Sequence, residues 1–96
     1  MSIQIKYESG VYEINGLLNS QNGVSLQHHF ENLLDHSKGI VLSLNKVLDI
    51  DASSVNMIAA LQKQAQKADK MFYIIGMKNN KVNSLFTALN LNEILL

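Results

Sequence analysis

The stretch Asp51-Ala52-Ser53-Ser54 places an acid, a small side chain and two hydroxyls between a strand-like apolar run and a long helical pattern. A helix N-terminus leaves backbone N–H groups unpaired and carries partial positive charge, so it favours carboxylates and hydroxyls. Asp51 can accept these N–H bonds, and Ser53 is a good N-cap residue. The cluster is therefore either only a helix cap or also a phosphorylation or binding site, and its residue types alone favour capping.

Residues suited to catalysis or metal binding are sparse elsewhere. There is no cysteine, so disulfides and thiolate metal sites are excluded. His28 and His29 are neighbours and point about 100° apart on a helix, so they cannot chelate one metal together. His36, at the predicted helix end, suits the helix dipole better than a metal. We expect no metal, no cofactor and no enzyme; a small hydrolase using Ser53 or Ser54 with a distant histidine is an unfavoured alternative.

The composition of the whole chain narrows the class of protein. Its 96 residues fit one domain, 1–96. Eight basic and eight acidic residues give zero formal net charge, which argues against a nucleic-acid partner. The first twenty residues contain no signal-peptide core and no apolar stretch could span a membrane, so we predict a cytoplasmic protein without direct membrane insertion.

Hydrophobic spacing predicts the elements that must position these residues. Alternation indicates strands, apolar positions every three to four residues indicate helices, and continuous β-branched runs indicate buried strands. The predicted elements are a strand hairpin over 3–15, a loop to residue 23, a helix over 23–36, a buried strand at 39–44, a loop over 45–51, a helix to residue 68, a buried strand at 71–76, a helix over 82–89 and a short last strand at 93–96.

The predicted order is therefore β-β-α-β-α-β-α-β. Strand–helix–strand units of this kind form right-handed crossovers and parallel pairing. We predict a single α/β domain with a mostly parallel sheet packed against helices.

The second predicted helix has two different sides. One broad apolar side carries Val55, Ile58, Leu61, Ala65 and Ala68. The opposite side carries Asn56, Ala59, Ala60, Lys63 and Lys67. The small alanines would let a partner approach closely, although good helix formers on a solvated face give the same pattern.

Several segments in the same order resemble the STAS domain family, named for sulphate transporters and anti-sigma factor antagonists. They are "VYEINGLLN", "GIVLSLNKVLDIDASSV", "MFYIIGM" and "VNSLFTALNLNEIL". In family members, the segment that corresponds to "GIVLSLNKVLDIDASSV" is commonly a buried strand followed by Asp-Ser-Ser-Gly or Asp-Ser-Thr-Gly at a helix start. The resemblance extends over almost the whole chain and implies the STAS fold.

The resemblance also implies a role for the position after Asp51. In family members of the antagonist type, that residue accepts phosphate from a partner serine kinase. Here it is Ala52, which has no hydroxyl, and Ser53 matches the second hydroxyl position. Ser54 falls where the family often has glycine, and Asn19 falls where it often has aspartate in the first loop. We therefore expect no phosphate at the usual site and only a low occupancy at Ser53, whose oxygen would be engaged as the N-cap.

The function implied by the resemblance is regulation by protein binding. The expected partner is a serine kinase or anti-sigma factor; the alternative is the ATPase of a lipid-transporting ABC transporter, which a lone STAS domain can serve as an accessory subunit. The predicted partner-binding residues are Asn19, Asp51, Ala52, Ser53, Ser54, Asn56, Ala59, Ala60 and Lys63. Longer members continue into a further helix, so we also expect an exposed apolar patch at Leu91, Ile94 and Leu95, and with it a possible homodimer.

Overall fold

The computed structural model describes residues 3–96, so the first two residues of the predicted domain lie outside the described part. The strands are β1 Gln4–Glu8, β2 Val11–Leu18, β3 Gly39–Ser43, β4 Val47–Ile50 and β5 Met71–Ile75. The α-helices are α1 Ser20–Asp35, α2 Ala52–Lys67 and α3 Asn80–Ala88, and a 3₁₀ turn spans Asn92–Ile94.

The strands form one mixed sheet of five. β1 and β2 form the predicted antiparallel hairpin. The turn between them has positive φ at both Ser9 and Gly10. β2 pairs in parallel with β3 through its first half and with β4 through its second half. β3 pairs in parallel with β5. Three of the four strand pairings are parallel, which confirms the predicted α/β class and the mostly parallel sheet.

The core lies between one face of this sheet and the apolar stripes of α1 and α2, and Val82 and Phe86 of α3 extend it. Buried residues from alternate strand positions meet buried residues from each helix in a single cluster. Its largest fully buried members are Phe30, Phe86, Ile14, Leu18, Leu42, Leu44, Ile58, Leu61 and Ile74. Both helices therefore lie across the strands with their N-termini near the carboxyl ends of β2 and β4.

The structure corrects the predicted loop before the first helix. β2 continues to Leu18 and α1 begins at Ser20, so the loop shrinks to Asn19. The strand continues through Asn15 and Gly16 because Gly16 adopts φ +116° where the pairing register shifts. Glycine accommodates this conformation without strain. The helix begins early because Asn19 and Asn22 cap it reciprocally.

A second correction concerns residues 45–51, which contain a strand instead of only a loop. β4 is just four residues long, and only its first and last residues, Val47 and Ile50, are buried. So short a segment gives little periodicity, and the strand forms because the end of β2 offers it a partner.

The prediction of a last strand over 93–96 is wrong for most of these residues. Residues 92–94 form the 3₁₀ turn, and only Leu95 makes a parallel bridge, to Ile74. Leu95 is buried instead of lying in an exposed patch, while Leu91 and Ile94 are half-buried. α3 ends within one residue of its predicted end, and Asn90 follows with φ +58°, the left-handed conformation that commonly closes a helix.

Within residues 3–96, no helix combines the length and the apolar character needed to cross a membrane.

Candidate functional site

Asp51 is the N-cap of α2. Its backbone is extended, and its Oδ1 accepts a hydrogen bond from the backbone N–H of Ser54 at 2.9 Å. The Ser53 hydroxyl donates to the same oxygen at 2.9 Å. The prediction that Ser53 is the N-cap is therefore wrong. Ser53 is the second residue of the helix, and its hydroxyl supports the acid that caps it.

The other oxygen of the same carboxylate reaches the start of α1. Oδ2 of Asp51 accepts a hydrogen bond from the backbone N–H of Ser20 at 3.0 Å, across 31 residues of sequence. The Asp51 N–H in turn donates to the carbonyl of Leu18 at 3.1 Å. One side chain thus satisfies unpaired N–H groups at two helix N-termini and holds them side by side.

The start of α1 has a cap of its own. Oδ1 of Asn19 accepts from the N–H groups of Gln21 and Asn22, and Oδ1 of Asn22 accepts from the N–H of Asn19. The Asn22 amide also donates to the carbonyl of Leu17 at 2.7 Å. Asn19, predicted as a partner contact, is therefore committed through its side-chain oxygen to ordering the first turn.

The surroundings of Asp51 shift its acidity. Partial burial raises the pKa of the carboxyl, but the N–H of Ser54, the hydroxyl of Ser53 and the N–H of Ser20 together lower it further than burial raises it. The Ser54 hydroxyl lies near enough to lower this pKa as well, although it does not reach the geometry of a hydrogen bond. The net pKa is below the ordinary value, because each of these donors stabilises the charged form. Asp51 is an anion at neutral pH, and its charge is matched to the positive ends of two helices.

The outward surface beside this cap begins with small, uncharged side chains and ends in a lysine. Ala52 and Asn56 are exposed, and Ala59 and Ala60 are half-buried on the same side of the helix, about two turns on from Ala52. Lys63 is exposed at the far end of this row. We call these five residues the α2 stripe; it brings together five of the residues predicted from the sequence.

Ser54 is placed differently from its prediction. Its side chain is fully buried, so it does not belong to the accessible surface. A Cβ placed at Gly23 of α1 would lie 3.9 Å from Ser54 Oγ, which shows how closely the two helices approach at this point. Within the described residues, Ser54 Oγ has no hydrogen-bond partner. Ser54 therefore belongs to the α1–α2 contact and not to a docking surface.

A small cavity adjoins the cap. It has a volume of about 120 Å³ and is lined by Leu17, Leu18, Asn19, Asp49, Ile50 and Asp51. A larger, open groove of about 480 Å³ continues from Asp49 and Ile50 to α3. Sequence reasoning missed Ser20 and this groove, because Ser20 acts through its backbone N–H and the groove depends on the unpredicted strand β4.

The three histidines lie apart from this region. His28 and His29 are exposed on α1. His36 ends α1, and its Nδ1 lies 2.9 Å from the carbonyl oxygen of Asn32 in the last turn. Residues 3–96 contain no group of three or more histidine, cysteine or acidic side chains that could hold a metal ion.

Comparison with known proteins gives a family and a set of similar folds. A family model described as the STAS domain matches residues 1–95. No curated protein matches the sequence significantly.

Three solved structures illustrate the similarity of fold. The anti-sigma factor antagonist SpoIIAA in its unphosphorylated form has a TM-score of 0.78 at 11% identity, covering 99% of this chain and 86% of that one. An anti-sigma factor antagonist from Mycobacterium paratuberculosis has a TM-score of 0.80 at 13% identity, with coverages of 98% and 81%. A putative anti-sigma factor antagonist from Thermotoga maritima has a TM-score of 0.72 at 22% identity, with coverages of 97% and 82%. At these identities the likeness is one of fold.

Proposed function

The chain belongs to the STAS domain family, and we propose that it is a regulatory module that acts by binding a protein partner and not by catalysis. In this proposal the partner docks on the start of α2, over the α2 stripe and the rim formed by Asp51 and Ser53. The fold that the chain shares with anti-sigma factor antagonists supports this type of function.

One observation carries the proposal. The Asp51 carboxylate is used entirely inside the protein, by donors from both helices, whereas the residues beside it present small, uncharged side chains to solvent. Such a surface lets the backbone or a helix of a partner approach closely and requires little desolvation of charge. The cap makes this surface rigid, which reduces the entropy that binding must overcome.

We propose further that the surface stays in one chemical state. Ala52 occupies the position at which related antagonists are expected to carry phosphate, and it has no hydroxyl. Ser53 is exposed, but its hydroxyl donates to Asp51 Oδ1. A phosphate there would remove this bond and place two negative groups side by side, so we expect no stoichiometric phosphate on Ser53. Phosphopeptide mapping after co-expression with the neighbouring kinase, if one is encoded beside this protein, checks this expectation.

The experiment that tests the docking surface starts with affinity capture and identification of the partner. Binding of the purified partner is then measured by calorimetry for two pairs of variants. Ala52→Glu adds a charge at the rim, and Ala52→Gln adds a side chain of the same size without charge. Ala59→Arg blocks the α2 stripe, and Ala68→Arg makes the same change at the exposed far end of the helix.

We expect all four variants to fold, with changes in unfolding free energy under about 1 kcal/mol. Ala52→Glu and Ala59→Arg should weaken binding at least about tenfold, which corresponds to about 1.4 kcal/mol. Ala68→Arg should leave the affinity unchanged, and Ala52→Gln should cost less than Ala52→Glu. Unchanged affinity in both Ala52→Glu and Ala59→Arg would show that the partner binds elsewhere.

The identity of the captured partner separates the two regulatory systems that the sequence leaves open. A serine kinase or anti-sigma factor places the protein in a switch of the antagonist type. The ATPase of a lipid transporter places it as an accessory subunit.

A further inference from the structure

The outer edge of β5 is only partly paired. Met71 and Ile75 face β3, because the Met71 N–H donates to the carbonyl of Lys38 and the carbonyl of Ile75 accepts from Leu44. In a parallel ladder the residues of a strand alternate between its two neighbours. The N–H and C=O groups of Phe72 and Ile74 therefore point away from β3, to the outer edge of the sheet.

The end of the described chain covers one half of this edge. The Leu96 N–H donates to the carbonyl of Ile74, and the Leu96 carbonyl accepts from Gly76, both at 2.8 Å. The 3₁₀ turn then carries the preceding residues away from the sheet. As a result, the edge groups of Phe72 have no hydrogen-bond partner among residues 3–96.

A groove of about 530 Å³ lies over this open stretch. Its floor is the first half of β5, one wall is the exposed side of α2, and the other wall is the 3₁₀ turn with the residues after it. The residues that line it are Gln62, Gln66, Lys70, Met71, Phe72, Tyr73, Glu93, Ile94 and Leu96. None of these lining residues belongs to the α2 stripe.

β1 and β5, the end strands of the path β1-β2-β3-β5, differ in how their outer edges are protected. β1 carries Lys6 and Glu8, which form an ion pair at 3.2 Å, and charged side chains discourage strand addition. β5 contains no charged residue and no proline, and Met71 and Tyr73 are about half exposed. Of the two edges, β5 is therefore the one open to pairing.

We propose that this groove binds an extended peptide segment of a partner protein, which pairs antiparallel with Phe72. Antiparallel pairing suits the site because one peptide residue exchanges both hydrogen bonds with one residue of the edge, and only Phe72 is open. The segment places an apolar side chain against Ile94 and Leu96 and a basic side chain near Glu93, whose charge is exposed and unmatched by an ion pair within the described residues. This proposal does not depend on the function proposed for the α2 stripe.

The test follows the Phe72 amide by NMR in the isotope-labelled full chain. The probe is the capped peptide acetyl-Thr-Val-Thr-Val-Lys-amide, and the control is the same peptide with N-methylated valines, which cannot donate backbone hydrogen bonds. We expect the first peptide, at millimolar concentration, to shift the Phe72 amide signal and to slow its hydrogen exchange. The amides of Met71 and Tyr73, which face β3, should respond less.

Two variants test the charge assigned to the groove. Glu93→Lys should weaken peptide binding about two- to fivefold, the range of an exposed ion pair. Glu8→Lys on the opposite edge should leave it unchanged, as should Ala52→Gln at the docking surface proposed above. The proposal is overturned if Phe72 does not respond, or if the N-methylated peptide gives the same response. It is also overturned if sedimentation shows that the unliganded chain already closes this edge by dimerising and Glu93→Lys separates the dimer.

Discussion

The N-caps of α2 and α3 both pair backbone N–H groups of the first helical turn, but one is a carboxylate and the other an amide. Asp51 caps α2 with a carboxylate that only accepts, and it collects donors from Ser54, Ser53 and Ser20. Asn79 caps α3 with an amide that both accepts and donates. Its Oδ1 accepts from the N–H of Val82, and its Nδ2 donates to the carbonyls of Leu44, which follows β3, and Val47, which begins β4. An aspartate in the second position would have no proton to donate at neutral pH.

The difference agrees with the proposal that the α2 cap supports a docking surface, whereas the α3 cap serves the fold. Nδ2 of Asn79 lies 3.0 Å from the carbonyl oxygen of Leu44 and 2.8 Å from that of Val47, so it holds β4 against α3. Asp51 instead joins two helix starts, and its neighbours Ala52 and Ser53 remain exposed. The caps should therefore respond differently to exchange of acid for amide, and the predictions that follow run from the largest effect to the smallest.

The largest effect is expected for Asn79→Asp. The new carboxylate keeps the bond from Val82 but faces the carbonyl oxygens of Leu44 and Val47 without a proton. The variant loses both of these hydrogen bonds and places a negative charge against two part-buried carbonyl oxygens, although that of Leu44 keeps its bond from the Val47 N–H. The unfolding free energy should fall by about 2–4 kcal/mol. Urea unfolding at neutral pH measures this, and the loss should shrink in acid as the carboxyl gains a proton it can donate.

The matched control for this variant is Asn80→Asp. Asn80 is the first residue of α3 and is exposed, so a carboxylate there meets only the favourable end of the helix dipole. Its unfolding free energy should be unchanged or rise by a few tenths of a kcal/mol. Equal losses at positions 79 and 80 would contradict the assigned role of the Asn79 amide.

A smaller loss is expected for the reverse exchange, Asp51→Asn. The amide oxygen can still accept from Ser54, but the NH₂ group replaces the oxygen that accepts from Ser20. We expect the unfolding free energy to fall by about 1–2 kcal/mol, because the charge-assisted bond from Ser20 is lost and the new NH₂ group faces the Ser20 N–H. Asp49→Asn is the control, because the Asp49 side chain is exposed and, among residues 3–96, bonds only to the adjacent Ile50 N–H. If both variants lose the same amount, the link between the helices contributes nothing.

These two caps also show which parts of the structure could be predicted from the sequence and which could not. Apolar spacing was sufficient for the buried strands β3 and β5 and for the stripes of the three helices, because each depends on several residues that agree. It located the start of α2 but assigned the cap to Ser53, since serine and aspartate are both preferred and only backbone geometry selects between them. It missed β4, whose four residues are ordered by β2 and by the Asn79 amide and not by their own pattern.

The same reasoning applies to the candidate site. The residues of the α2 stripe share one side of a helix, so their grouping follows from helical periodicity alone. The burial of Ser54 does not, because it depends on the close approach of α1 at Gly23, a contact between residues 31 positions apart. Long-range contacts of single residues leave no periodic trace in the sequence.

The pH dependence of the unfolding free energy should also distinguish the two caps, because the Asp51 carboxyl titrates and the Asn79 amide does not. The pKa of Asp51 is lowered in the folded state, because the donors outweigh the effect of burial. As pH falls, the unfolded chain therefore takes up this proton first, so the stabilisation is complete above the ordinary pKa of about 4 and is lost as pH falls further. The difference in unfolding free energy between the natural chain and Asp51→Asn should narrow from pH 6 to pH 3. A difference that stays constant over this range would mean that the Asp51 charge does not matter.

The smallest effects are expected at the two serines that follow Asp51, and they should have opposite signs. Ser54 Oγ is fully buried and lacks a partner within the described residues, so Ser54→Ala removes an unpaired hydroxyl with little change in volume and should stabilise the fold by up to about 1 kcal/mol. Ser53→Ala removes the exposed hydroxyl that donates to Asp51 and should cost a few tenths of a kcal/mol. Thermal and urea unfolding of both variants measure the pair under the same conditions. Destabilisation by Ser54→Ala equal to that of Ser53→Ala would show that the buried hydroxyl is paired in solution, and the α1–α2 contact would then have to be described as polar.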